Sequence, residues 1–250
     1  MARVDFYVQA LSQASNKPNF KIEQLAGYLA ALQDDYNALE RAKLTARQAW
    51  ILAWDAEQAA ALLTKEEANK WLSRARGLYE KSLASLPRNV VILTDAARFY
   101  RTHSAALLES SEAADALYLK ARALLDKAIT IDDTYEPAFL ERSQLLVVEG
   151  KSAEAFDSFK VVVEKNPAAA YEAGHLALAA KKFEEAVAYF KKAIEQNPNH
   201  LQARYELIQA YLALADLDSA RVELAALEER IPKDDAATQG LLKGLRELLK

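Results

Sequence analysis

The side chains best suited to acid–base chemistry in this chain are three histidines, His103, His175 and His200, and they stand far apart in sequence. None sits in a metal-ligand spacing. A hydrolase or transferase also needs a nucleophile with an oriented base beside it, whereas serine and aspartate are scattered here as helix caps would be. The absence of cysteine removes thiolate catalysis, disulfides and Cys-type zinc sites together. Neither G-x-G-x-x-G nor G-x4-G-K occurs, so there is no phosphate loop. These features predict a chain that is not an enzyme and that uses no cofactor and no metal. Trp50 and Trp54 stand one helical turn apart. Such a pair can be a ligand platform or core against a neighbouring helix, and core is the expectation here.

What positions any site must be read from spacing. The stretch Gly174 to Pro198 reads GHLALAAKKFEEAVAYFKKAIEQNP. From Gly174 it is nine residues to Phe183, then three to Ala186, four to Phe190, three to Ala193 and five to Pro198. Steps of three and four keep one helical face aligned. Ala186 and Ala193 let a second helix approach, Phe183 and Phe190 fill the space between, and Asn197-Pro198 stops the helix. The same face recurs 34 residues on, at Ile208, Leu217, Ala220, Leu224, Leu227 and Pro232. It recurs 31 residues back, at Ser143, Ser152, Ala155, Phe159, Val162 and Pro167. Its second-helix half reappears at Tyr118, Ala121, Leu125, Ala128 and Asp133, and at Leu72, Ala75, Tyr79, Ser82 and Pro87. Five matches in register define an architecture.

On these residues the chain resembles the tetratricopeptide-repeat (TPR) family, whose 34-residue unit is two antiparallel helices closed by proline. The resemblance is strongest over residues 136–232 and extends to 65–135. It implies an all-α, right-handed α-solenoid of TPR-like helical hairpins with a C-terminal capping helix, and a concave groove lined by the first helix of each hairpin. Family groove contacts come from residue pairs one turn apart on that helix. Mapped here, the pairs are Thr94 and Arg98, Leu140 and Gln144, Tyr171 and His175, and Tyr205 and Gln209. The Lys and Asn set with which chaperone-binding members clamp a terminal carboxylate is not matched. Tyr171 and Tyr205 with their neighbours instead imply an extended or helical peptide held by stacking and hydrogen bonds.

Composition agrees with helices: 52% of the 250 residues are hydrophobic, with only 6 Gly and 6 Pro. A formal charge of -4 with acids and bases interspersed argues against a nucleic-acid surface. Lys181-Lys182 and Lys191-Lys192 read as solvated helix faces. No apolar run approaches the ~20 residues that span a bilayer, and Met1 to Ser15 lacks the features of a signal peptide. The expectation is a soluble chain without direct membrane insertion, cytoplasmic by default and membrane-tethered if it belongs to a larger membrane protein.

Residues 1–64 read as degenerate or partial N-terminal repeats. In them Tyr7, Ala10 and Ser15 mark a second helix without its first, as if excised from a longer protein. Residues 20–63 form either one degenerate hairpin or a single long helix, with Asp34-Asp35 as the candidate break. Thr64 and Glu67 form a capping box that opens the next helix. Residues 65–135 hold two divergent TPR-like units. The second has extended helices, because Pro87 to Asp133 spans 46 residues against the standard 34, with Ser110 and Ser111 as caps. Residues 136–233 form three regular hairpins, with Glu149-Gly150 at a turn and His200 exposed between repeats. Residues 234–250 form a capping helix bearing Leu241, Leu242, Leu245, Leu248 and Leu249. DDTYEPAFLERSQLL, NPAAAYEAGHLALAAKKFEEA and NPNHLQARYELIQAYLAL also resemble the soluble repeat region of bacterial O-antigen ligase family membrane proteins. That resemblance implies a part that recruits a glycan-assembly partner while the ligase chemistry lies elsewhere. The expected role is a non-catalytic scaffold that binds a peptide or partner protein. The alternatives are that ligase-associated part and a module that self-associates through the half repeat at Met1 to Ser15.

Overall fold

The computed structural model describes residues 44–61, 63–107, 111–231 and 236–249, together with Asp34, Asn37 and Ala38. The expected half repeat at Met1 to Ser15, the candidate break at Asp35 and the Ser110 cap lie outside these residues. The helices are α1 (Ala46–Ala60), α2 (Lys65–Ser85), α3 (Val90–Leu107), α4 (Ser111–Ile131), α5 (Glu136–Val148), α6 (Ser152–Lys165), α7 (Ala170–Ala179), α8 (Phe183–Gln196), α9 (Leu201–Ala213), α10 (Leu217–Glu228) and α11 (Ala236–Leu248). A short 3-10 turn, Pro167–Ala169, precedes α7. No strand occurs among the described residues, and none of their helices is long and apolar enough to cross a membrane. The fold is all-α, built from consecutive helical hairpins. It divides into two compact units, Met1–Ala138 and Phe139–Lys250, the division falling in the first turn of α5.

In the first unit α1 packs on α2, α3 on α4, and α2 on α3. A capping box starts α1: the Gln48 amide N–H donates to Thr45 Oγ1 (3.3 Å) and the Thr45 N–H donates to Gln48 Oε1 (2.9 Å). Of the two alternatives for residues 20–63, the single unbroken helix is not formed, because Leu44 and Thr45 are not helical. At the start of α2 neither backbone bond of the expected box forms. The Thr64 hydroxyl donates to Glu67 Oε2 (3.1 Å), but its side chain caps no backbone N–H. Alanines at 49, 53, 56, 59, 75, 96, 97, 121 and 128 are buried and allow close helix approach, with Leu52, Tyr79, Phe99, Tyr100 and Leu125 filling the core. Each such large side chain contributes about 1.5–3 kcal/mol relative to exposure. Ser82 stands at a contact position and is fully buried. It is tolerated because its hydroxyl donates to the carbonyl oxygens of Ala46 and Leu78 (2.9 and 3.0 Å).

In the second unit Phe156, Phe159, Ala173, Ala177, Ala186, Phe190, Ala193, Leu207, Ala220, Leu224 and Leu227 belong to one buried cluster. The three hairpin turns are built alike. Gly150, Lys181 and Ala215 adopt positive φ (73, 60 and 57°). The following N–H of Lys151, Lys182 and Asp216 donates back to the carbonyl of Leu146, Ala177 and Tyr211. This is the paired hydrogen bonding that closes a helix through a left-handed residue. The lysines expected to be simply solvated are partly engaged. Lys182 pairs with Asp157 (2.8 Å) and lies over the Phe156 ring, while Lys191 and Lys192 lie over Tyr211 and Tyr189. Leu242 and Leu245 on α11 and Leu249 just after it are buried in the core cluster. Leu248 instead faces water, which corrects its place on the capping face. Arg246 Nε anchors this helix on Glu228 (2.7 Å), and Arg221 Nε donates to the Leu249 carbonyl (3.0 Å).

Candidate functional site

In the second unit α7 and α9 are the first helices of successive hairpins. The two expected contact residues of α7, Tyr171 and His175, converge on one side chain of α9. The Tyr171 hydroxyl donates to Glu206 Oε1 (2.9 Å), and His175 Nδ1 stands 2.9 Å from Oε2. Gln202 Nε2, one turn before Glu206, donates to Oε1 (2.8 Å). Glu206 is buried, so these contacts supply what the solvent would otherwise supply. Burial raises the Tyr171 hydroxyl, and the hydrogen bond and charge of Glu206 raise it further, to about 12.

The rings around this carboxylate are ordered. Tyr171 lies 4.5 Å from His200 between centroids at 36°, and 6.4 Å from His175. His200, expected to be merely exposed, is half-buried and caps α9, its Nδ1 accepting from the Ala203 N–H (3.2 Å). The side chain of His175 stays 60% exposed, so the cluster has a solvent-facing edge. Tyr205 and Gln209 are half-buried one turn apart on α9, and Tyr205 packs on the core cluster. Gln144 is exposed on α5, and Leu140 packs on the cluster. Tyr171 and His175 are thus brought together, and Tyr205 and Gln209 lie on the helix that binds them.

A second buried carboxylate lies in the first unit. Glu57 on α1 accepts both Nη groups of Arg98 on α3, one on each oxygen at 2.7 Å. His103 Nε2 is 2.8 Å from Oε1, and the Tyr79 hydroxyl donates to Oε2 at 3.4 Å. Burial alone would raise the Glu57 carboxyl, but the hydrogen bonds from His103 and Arg98 and their charges hold it below the ordinary value. Arg98, expected as a groove contact, therefore has its Nη donors engaged, and its guanidinium lies 4.4 Å over the Trp54 ring. Thr94 is buried. The tryptophan pair departs from the expected core placement: Trp50 is half-buried and Trp54 is 41% exposed. Trp50 Nε1 donates to Asp95 Oδ2 (2.8 Å).

Both carboxylates escaped the sequence reading, although each has a signal. Glu57 sits between Ala53 and Ala60, and Glu206 between Ala203 and Ala210, each a single charge on an otherwise small apolar stripe. Among the described residues no group of three or more His, Cys, Asp and Glu side chains is placed to hold a metal ion. His103 Nε2 and His175 Nδ1 both stand against carboxylates, which fixes the orientation of each imidazole.

The repeated left-handed turns at 150, 181 and 215 and the alanine-lined hairpins agree with a comparison of sequence families. Residues 177–245 match the tetratricopeptide-repeat family model. The matched segment runs from the end of α7 through α8, α9 and α10 into α11. No curated protein matches the chain at a significant level. Among solved structures, YrrB, a TPR protein with an unusual peptide-binding site, is similar at 21% identity and a TM-score of 0.54. The match covers 75% of this chain and 91% of that one. A crystal structure of MamA is similar at 20% identity and a TM-score of 0.52, over 66% of this chain and 92% of that one. MamA from Desulfovibrio magneticus RS-1 is similar at 17% identity and a TM-score of 0.52, over 75% and 97%. At such identities the likeness is one of fold. The resemblance to the O-antigen ligase repeat region gains nothing from these structures.

Proposed function

We propose that the chain is a protein-interaction module that holds a peptide segment of a partner across α7 and α9, by binding and without catalysis. The observation behind this reading is the convergence of Tyr171, His175 and Gln202 on the buried Glu206. It locks the orientation of an aromatic and an imidazole side chain before any ligand arrives, which lowers the ordering cost of binding. The exposed edge of His175 offers a hydrogen bond and a stacking surface to a bound backbone, and Tyr205 and Gln209 continue the same helix face. The fold is similar to that of YrrB, a TPR protein with an unusual peptide-binding site.

Panning a random peptide display against the full chain, then measuring the selected peptide by fluorescence anisotropy, tests the reading. Replacing Tyr171 and Tyr205 by Ala is expected to weaken binding by about 1 to 3 kcal/mol. Unchanged affinity in that double variant would remove the site from this face.

A further inference from the structure

An open cleft of about 330 Å³ in the first unit is lined by Trp50, Ile51, Trp54 and Asp95. Two indoles at its mouth are unusual surface chemistry. Trp54 keeps 41% of its surface exposed although it stands on a helix whose neighbouring face is buried. With Asp95 in its lining, the cleft joins two indole walls to one carboxylate.

The charges around the cleft identify the ligand. Arg98 lies over Trp54 but gives both Nη groups to Glu57, so these two charges offset each other locally. Its remaining Nε–H is buried and does not reach the cleft as a free donor for an anion. Asp95 is then the charge still to be met. Its Oδ2 accepts from Trp50 Nε1, and among the described residues no donor reaches Oδ1. Burial pushes its carboxyl up, against the Trp50 hydrogen bond and the Arg98 charge, which lower it; Glu57 adds to the rise. A cation entering the cleft would relieve that penalty.

We infer that the Trp50–Trp54–Asp95 cleft binds a lysine side chain of a partner protein, with the ammonium on Asp95 Oδ1 and the methylene stem along the indoles. Lysine is favoured over arginine because one carboxylate oxygen is already occupied. A single acceptor suits a compact point charge, whereas a guanidinium seeks both oxygens of a carboxylate. The stem gains apolar contact along the indoles while the charge reaches the carboxylate. This site lies in a different unit from Glu206, and its test does not depend on the peptide reading above.

The test follows tryptophan emission of the full chain during titration with a blocked Ala-Ala-Lys-Ala-Ala peptide. The same peptide carrying Nε-acetyl-lysine, the arginine analogue and tetramethylammonium serve as comparisons. Saturable quenching by the lysine peptide, lost by more than threefold on acetylation, is expected. Asp95→Asn keeps an acceptor for Trp50 Nε1 and is expected to weaken the lysine peptide about tenfold, with an unchanged circular dichroism spectrum. Equal binding of the acetylated peptide, a loss under threefold in Asp95→Asn, or tighter binding of the arginine peptide or of free tetramethylammonium would overturn the assignment. The acetylation comparison uses the unaltered protein, so it decides the matter even if Asp95→Asn fails to fold.

Discussion

Gly174 lies directly against the ring of Phe190, and a Cβ added to it would stand 2.6 Å from Phe190 Cδ1 and 2.7 Å from Cε1. The ring is fully buried and cannot swing away into solvent. In an exposed helix, replacing Gly by Ala would stabilise by up to about 1 kcal/mol. Overpacking a tight core costs about 1–3 kcal/mol. Contact at this distance makes overpacking the larger effect, so Gly174→Ala is expected to destabilise by about 1–2 kcal/mol. Urea unfolding checks the sign. Adding Phe190→Leu, which shortens the opposing side chain, should recover part of the Gly174→Ala penalty in a double-mutant cycle.

Ala215 occupies the left-handed region at φ 57°, the conformation that glycine supplies at position 150. A side chain there costs about 1–2 kcal/mol, part of which glycine forfeits through its freer unfolded chain. Ala215→Gly is therefore expected to stabilise the protein by roughly 0.5–1 kcal/mol. Gly150→Ala should lower stability by a similar amount. A shift of the urea midpoint in the opposite direction for either variant would contradict the turn assignment.

Glu57 links the stability of the first unit to acid. Its folded carboxyl is held below the ordinary value of 4.5 because the contacts of His103 and Arg98 outweigh burial. A carboxyl depressed in the folded state contributes stability that is fully present above its unfolded value and is lost as pH falls through the folded one. Stability should thus decline below about pH 4.5, the unfolded value. Glu57→Gln leaves the buried guanidinium of Arg98 without its counter-charge and is expected to cost about 3–5 kcal/mol at neutral pH. That variant should also flatten the acid limb of stability against pH. An acid limb as steep as in the parent protein would exclude Glu57 as its source.

The contrast between Thr45 and Trp54 shows how far sequence reading reaches. Thr45-Ala46-Arg47-Gln48 carries a complete capping signal, so the start of α1 was legible locally even though the apolar periodicity ran across it. Trp54 had no comparable signal. A tryptophan at helical spacing fits a core equally well, and its exposure depends on where α3 sets Asp95 and Arg98 against α1.

By itself the sequence determined the hairpins, the stops at Pro87, Pro167 and Pro198, and the pairing of Tyr171 with His175 one turn apart. These follow from the 3.6-residue period and from the chemistry of proline and glycine, which act within a few residues of chain. Only the tertiary structure decided that Arg98 and His103 close on Glu57 from 41 and 46 residues away, and that Tyr171 and His175 close on Glu206 from 35 and 31. A buried charge takes its partner from whichever helix face lies against it. That face is set by the packing of neighbouring hairpins, which no local period encodes.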